Sequence, residues 1–126
     1  MSGDVERNAV LYHGTTRSRS KQIVEAEAFS PQTTYFALGP ANRDLAEIFA
    51  RRTQSRYPRE GGPALVIISV PEETIDRLRQ LRLLRPLPFD PGDRPELRNR
   101  MQWVLEPGGI NLLNVNVEDW QEEAIP

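Results

Sequence analysis

The stretch at residues 64–70 limits the fold of this chain more than any other. Its sequence, Ala-Leu-Val-Ile-Ile-Ser-Val, is a continuous apolar run. Strands with hydrophobic side chains on both faces are typical of the interior of a sheet that is covered on both sides. The stretch therefore predicts a central strand that is buried on both faces.

Hydrophobic spacing, caps and turn residues predict the remaining elements. Helical spacing of Leu45, Ile48 and Phe49 makes the helix at residues 41–52 the clearest of them. The others, in chain order, are a strand at 10–12 ended by a turn at 14–16, a helix capped by Ser18 or Ser20 and closed by Phe29, a strand at 33–38, a short helix beginning at 71–74, a strand at 100–106 and a last strand at 110–117. Four prolines forbid regular structure at residues 85–95.

The order of these elements, β-α-β-α-β-α-β-β, predicts the α+β class. With 126 residues the chain is expected to form one domain over residues 1–126, in which residues 1–9 are a loosely ordered start. A small parallel α/β fold is the other arrangement that the strands allow. No glycine-rich phosphate-binding loop follows any of them, which argues against that fold.

Cysteine and histidine usage excludes several classes of protein. The chain has no cysteine and one histidine, so it has no disulfide framework, no thiol nucleophile and none of the common zinc sites. We expect no metal. No apolar stretch approaches the roughly 18 residues of a membrane span and no signal segment opens the chain, so we expect a cytoplasmic protein with no membrane partner.

Charge is distributed less evenly than the net value of −2 suggests. Of the 16 basic residues 15 are arginine, and seven of these lie from Arg77 to Arg100. The segment at residues 77–100 is either a solvated surface with ordinary ion pairs or a docking surface for a phosphate-bearing or acidic target.

Three segments carry side chains suited to a ligand site. The first, residues 12–15 (Tyr-His-Gly-Thr), places the only histidine at a strand end beside a glycine. A ring that donates and accepts hydrogen bonds then lies next to accessible backbone. The second segment is residues 34–37 (Thr-Tyr-Phe-Ala), and the third is residues 101–107 (Met-Gln-Trp-Val-Leu-Glu-Pro), followed by Gly-Gly-Ile.

In this order and spacing the segments resemble the motifs of the His-Tyr-Glu class of ADP-ribosyltransferases, the class of diphtheria toxin and the poly-ADP-ribose polymerases. The resemblance covers residues 10–118. It implies a compact ADP-ribosyltransferase-like fold, with split antiparallel or mixed β-sheets and flanking helices, and NAD⁺ as co-substrate. In this class the histidine hydrogen-bonds the ribose of NAD⁺, the next glycine holds the nicotinamide amide, and the tyrosine stacks on the nicotinamide ring.

By this match the NAD⁺-binding roles fall to His13, Gly14 and Tyr35, and Thr15 is grouped with them. Cleavage of the nicotinamide–ribose bond builds positive charge on the sugar, so the ring must be held rigidly and the charge stabilised. Aromatic stacking suits a flat cationic ring. The candidate catalytic residues are His13, Tyr35 and Gln102.

The third position departs from the class, because Gln102 stands where a glutamate is expected. Glutamine accepts a hydrogen bond but supplies neither charge nor base, and such a loss typically costs on the order of a hundredfold in rate. Glu106, about 13 Å further along the strand, and Glu96, in the preceding loop, are the less favoured carboxylates. Each is alternatively a surface carboxylate paired with an arginine.

The leading functional hypothesis is an NAD-dependent mono-ADP-ribosyltransferase that acts on a macromolecular acceptor, as in bacterial or phage modification enzymes and toxins. Residues 77–100 would then lie near the acceptor or the phosphates of NAD⁺. Whether that acceptor is protein or nucleic acid stays open. One alternative is a catalytically weak or inactive module that binds NAD⁺ or ADP-ribose on the same fold. The other is a partner-binding protein with no nucleotide site.

Overall fold

The computed structural model describes residues 7–126, which form six strands and four α-helices. In chain order these are β1 (Asn8–Thr16), α1 (Arg17–Ala26), β2 (Thr34–Leu38), α2 (Arg43–Arg56), β3 (Pro63–Pro71), α3 (Glu72–Gln80), β4 (Leu84–Pro88), β5 (Met101–Leu105), α4 (Ile110–Asn116) and β6 (Asp119–Ala124).

The strands form one sheet in the order β4-β5-β2-β1-β3-β6, and every pairing among the described residues is antiparallel. The apolar run lies in β3, between β1 and β6. Its side chains are buried on both faces, Val66 and Ile68 on one and Leu65 on the other. The predicted α+β class and internal strand are therefore confirmed, and a parallel α/β fold is excluded.

Each face of the sheet has its own hydrophobic core. On one face the strands pack against α1, α3 and α4, with Phe36 and Leu113 among the buried side chains. On the other face they pack against α2, through Leu45, Ala46 and Ala50. None of the helices formed by residues 7–126 has the length and hydrophobicity required to cross a bilayer.

The sheet is split between β1 and β2. Along its whole length β1 pairs with β3, but it pairs with β2 only at Leu11 and Tyr12. After Tyr12 the two strands separate. Strands β1, β3 and β6 thus form one half of the sheet, and strands β2, β5 and β4 form the other.

The first strand extends beyond the predicted one at both ends. It begins at Asn8, so the loose start predicted for residues 1–9 is wrong at its last two positions. Residues 1–6 lie outside the described part of the chain. The strand ends at Thr16, so the turn predicted at residues 14–16 is also wrong. Its ladder with β3 continues to that last residue, and these backbone pairings outweigh the local turn preference.

Helix α1 follows β1 directly and has a different cap from the predicted one. The Oγ1 of Thr16 accepts a hydrogen bond from the backbone N–H of Arg19 at 3.3 Å, in place of a cap at Ser18 or Ser20. The helix at residues 41–52 is confirmed, shifted toward its C-terminus as α2.

Two segments in the C-terminal part differ in type from the prediction. The last strand is predicted at residues 110–117, but residues 110–116 form α4, where Ile110 and Leu113 lie one helical turn apart and are both buried. The last strand is β6. Residues 85–95, predicted as irregular, overlap β4, which lies at the sheet edge. Proline is tolerated there because an edge strand can leave N–H groups unpaired.

Candidate functional site

A cleft opens where β1 and β2 separate. Beyond the two residue pairs that join the strands, the space between them becomes a cavity of about 420 Å³. His13 lies on its β1 wall and Tyr35 on its β2 wall, and side chains of α1 and α2 complete it. The two candidates from separate motifs are therefore in one cavity, as are Gly14 and Thr15.

The side chain of His13 links the strands where their backbones no longer pair. Its Nδ1 lies 2.9 Å from the carbonyl oxygen of Tyr35. A carbonyl oxygen only accepts hydrogen bonds, so Nδ1 carries the proton and Nε2 of the neutral ring is an acceptor. Nε2 bonds to no other described residue and is not sealed from solvent. It is therefore available to a ligand hydroxyl.

Burial holds the pKa of the His13 imidazole below its usual 6.5. Desolvation is the main cause, the hydrogen bond to Tyr35 opposes it, and the positive charge of Arg19 lowers the pKa further. Phe29 packs edge-on against the ring, with 5.4 Å between the ring centroids, and Phe36 lies 5.7 Å away. At pH 7 the ring is therefore neutral.

Gly14 is required by the packing of α2 on β1. A Cβ at this position would overlap the backbone oxygen of Ala46 and would lie 2.6 Å from the backbone nitrogen of Ala50. Two backbone groups of one helix cannot move aside independently. Because Gly14 has no side chain, α2 packs directly on the backbone of β1. Gly14 also lines the cleft.

Two aromatic rings face each other at the cleft wall. The centroids of Tyr35 and Phe49 are 5.7 Å apart, with 35° between the ring planes. Both rings line the cavity and both are half-buried. Sequence reasoning used Phe49 only as an apolar residue of a helix. Its place beside Tyr35 depends on how α2 lies on the sheet, which no local pattern records.

The charged side chains that line the cleft are both cationic, Arg19 of α1 and Arg56 of α2. Arg19 is held by Glu60, with Nε to Oε1 at 2.6 Å and Nη2 to Oε2 at 3.2 Å. Its guanidinium lies 4.1 Å from the centroid of the Tyr57 ring. These hydrogen bonds lower the pKa of Glu60, so its carboxylate is ionised at neutral pH. Sequence reasoning did not single out either arginine.

Gln102 does not line the cleft. It lies on β5 and faces a separate void of about 10 Å³ behind the cavity wall. That void shares Gly14, Tyr35 and Phe49 with the cavity, so these three residues separate Gln102 from the cleft.

The two alternative carboxylates lie outside the cleft and are paired with arginines. Glu106 accepts a hydrogen bond from Arg85 at 2.9 Å, and Glu96 accepts one from Arg94 at 2.8 Å. No Asp or Glu is among the described residues that line the cavity. Within residues 7–126, no group of three or more histidine or carboxylate side chains is arranged to hold a metal ion.

The arginine-rich segment at residues 77–100 contributes no side chain to the cleft. Three of its arginines form ion pairs with carboxylates: Arg85 and Arg94 as above, and Arg100 with Asp44 at 2.8 Å. The cations beside the cleft come instead from α1 and α2. The positive charge beside the cleft therefore does not come from residues 77–100.

No family model, curated protein sequence or solved structure matches the chain. The chemistry of the cleft follows from its own side chains. They offer a neutral imidazole acceptor, a pair of aromatic rings and two guanidinium groups. Such a set suits a ligand that has a flat ring, hydroxyl groups and negative charge.

Proposed function

We propose that this chain is an NAD-dependent mono-ADP-ribosyltransferase that modifies a macromolecular acceptor, on a compact ADP-ribosyltransferase-like fold. The observation that carries the proposal is the meeting of His13 and Tyr35 in one cavity where the antiparallel sheet splits. The cavity volume of about 420 Å³ is within the range of roughly 300–1,000 Å³ typical of ligand pockets.

The side chains of the cleft fit the three chemical parts of NAD⁺. The Tyr35 and Phe49 rings suit the nicotinamide ring, because aromatic faces attract a flat cation. The Nε2 of His13 can accept a hydrogen bond from a ribose hydroxyl. Arg19 and Arg56 suit the pyrophosphate, to which guanidinium groups donate charge-assisted hydrogen bonds.

When NAD⁺ is bound, its nicotinamide–ribose bond breaks with the electron pair leaving on nicotinamide, and an acceptor oxygen or nitrogen bonds to C1′ and loses a proton. His13 contributes orientation, since its ring is fixed by the Tyr35 carbonyl and its neutral form leaves Nε2 free to accept. Tyr35 and Phe49 hold the leaving ring. No carboxylate lines the cleft to stabilise positive charge on the sugar, which favours slow turnover.

A second candidate function is a binding module on the same fold, which holds NAD⁺ or ADP-ribose without breaking it. The specific observation that favours it is the cationic lining of the cleft, Arg19 and Arg56 without a carboxylate. Glu60 balances the charge of Arg19, and the guanidinium of Arg56 attracts the phosphates of a ligand but opposes an oxocarbenium-like centre.

Substitution of His13 tests the proposal. We expect the wild-type protein to bind NAD⁺ by calorimetry and to release nicotinamide, and His13→Ala to lower that release by about a hundredfold. The matched variant is His13→Asn. Its side-chain amide can still donate to the Tyr35 carbonyl but has no group at the position of Nε2, so we expect normal melting and the same loss of nicotinamide release.

The outcomes separate the functions. Binding of NAD⁺ without nicotinamide release supports the binding module. Absence of both from a folded wild-type protein rejects the nucleotide site. Full activity in His13→Asn would reject the role of Nε2 as the ribose contact.

A further inference from the structure

Positive charge is concentrated in two short segments beside the cleft. Residues 17–21 and 51–59 contain seven of the 16 basic residues and no Asp or Glu. They belong to the start of α1 and to the end of α2 with the turn that follows it. Of these cations only Arg19 and Arg56 line the cavity itself.

The fold brings these two segments together. The backbone N–H of Arg17 donates to the carbonyl of Gly62 at 2.9 Å, and the Arg17 side chain lies against Gly61. The ion pair between Arg19 and Glu60 ties the same turn to α1. Arg56 and Tyr57 line the cleft, Arg59 follows them in the turn, and Arg17 lies against the end of the same turn. We call these four residues the basic rim.

The arginines of the basic rim are not neutralised by the fold. Arg17, Arg56 and Arg59 are exposed, and none of them forms an ion pair with any residue in the described range 7–126. Residues 77–100 also contain arginines without an ion pair among the described residues, but none of them lines the cleft. Unpaired cations on two adjoining segments create a positive field that attracts a polyanion.

Tyr57 adds an aromatic surface among these charges. Its side chain is 38% exposed, and it is one of few large apolar side chains in the described residues with such exposure. Proteins that bind single strands combine a positive groove for the phosphates with exposed aromatic rings on which bases stack. A duplex keeps its bases stacked inside and would leave this ring unused.

We infer that the basic rim binds single-stranded nucleic acid, with the arginines on its phosphates and Tyr57 under a base. The binding itself requires no NAD⁺. That the strand is also the acceptor rests on the function proposed above. In that reaction the nitrogen of a base N–H group or the oxygen of a sugar hydroxyl bonds to C1′, nicotinamide leaves with the bonding electrons, and the proton of the acceptor goes to solvent.

The test uses the full chain and fluorescein-labelled single strands of about 20 nucleotides, one DNA and one RNA of the same sequence. Fluorescence anisotropy without NAD⁺ gives the affinity between about 50 and 200 mM salt. We expect Arg17→Gln/Arg59→Gln to weaken binding about tenfold and to reduce the salt slope by about 1.4, which is two phosphate contacts. Comparison of the DNA and RNA arms reports any contact to the 2′-hydroxyl.

The matched control is Arg77→Gln/Arg98→Gln. It removes the same charge from two exposed arginines that form no ion pair with described residues and do not line the cleft. We expect its affinity to stay within about twofold of wild type. Tyr57→Ala should weaken binding about fivefold or more, and Tyr57→Phe should retain it, since stacking needs the ring and not the hydroxyl.

Absence of binding by the folded wild-type protein, or an equal loss in both double variants, would overturn the inference. Incubation with labelled NAD⁺, the oligonucleotide and an unrelated protein then identifies the acceptor. Label on the protein alone overturns the acceptor role. Binding through the rim with no NAD⁺ binding leaves the rim as a nucleic-acid surface and rejects the enzyme. NAD⁺ binding without oligonucleotide binding rejects the basic rim as a nucleic-acid surface and leaves the proposed NAD⁺ site in place.

Discussion

At the residue scale, His13 both joins the two halves of the sheet and faces the cavity. Its Nδ1 donates to the carbonyl of Tyr35, and Nε2 is left for a ligand. The sequence indicated a ligand contact from a histidine beside a glycine. It did not indicate the partner, because Tyr35 is brought to His13 only when β1 and β2 pair and then separate.

The lowered pKa of His13 predicts that acid weakens the fold. Since the ring titrates at lower pH in the folded chain than in the unfolded one, the unfolded chain takes up its proton first as the pH falls. The stability that depends on a neutral His13 is thus complete above pH 6.5 and is lost as the pH falls through the lowered pKa. The slope cannot exceed about 1.4 kcal/mol per pH unit.

Urea denaturation from about pH 8 to pH 5 measures this effect when wild type is compared with His13→Asn, which cannot titrate there. We expect the free energy of unfolding of the wild type to decline relative to the variant. NAD⁺ affinity should decline only as the pH falls through the lowered pKa of the folded ring, because a protonated Nε2 no longer accepts. Parallel stability curves for the two proteins would contradict the assignment of a neutral buried ring.

At the element scale, the close contact between α2 and β1 positions the cleft. The sequence predicted α2 from its helical spacing. Ala46 and Ala50 are buried, and their backbones reach the Cα of Gly14. This contact sets where Phe49 and Arg56 stand relative to β1. The spacing of apolar residues identifies which face of a helix is apolar, but it does not identify the residue of another element against which that face packs.

Gly14→Ala is expected to destabilise the protein by about 1–3 kcal/mol or more, because the added Cβ meets the backbone of α2 and not a flexible side chain. Thermal or urea denaturation measures the change. Gly108→Ala is the matched control, since its Cβ would lie 3.6 Å from the nearest atom, a Leu83 methyl. We expect a change within about 0.5 kcal/mol there. Equal stability of both variants would show that α2 can move away from β1.

At the scale of the whole molecule, the cleft lies between the two halves of the split sheet. Tyr35 and Gln102 belong to the β2-β5-β4 half, and His13 belongs to the other half. The contact between Tyr35 and Phe49 separates the cavity from the void at Gln102. To hold a flat ring between them, Tyr35 and Phe49 need about 7 Å between their centroids. Their centroids are 5.7 Å apart, so the two rings would have to move apart. Such an opening would join the void to the cavity and expose Gln102 to the ligand.

Gln102→Glu tests this opening. If the void joins the cavity when NAD⁺ binds, a carboxylate there stabilises positive charge on the sugar, and we expect nicotinamide release to rise about tenfold or more. Gln80→Glu makes the same change at the exposed end of α3 and should leave the rate unchanged. No gain in Gln102→Glu, in a protein that still binds NAD⁺, would mean that Gln102 stays behind the cavity wall.

The sequence by itself determined the α+β class, the internal strand at residues 64–70 and the helix at α2, because each depends on a local pattern of apolar side chains. It also indicated His13 and Tyr35 as candidate ligand contacts. Only the tertiary structure decided that residues 110–116 are helical, that residues 14–16 continue a strand and that residues 84–88 form an edge strand. It alone decided the split of the sheet, the position of Gln102 outside the cleft and the arginines within it. These features depend on contacts between segments far apart in the chain, which local patterns do not encode.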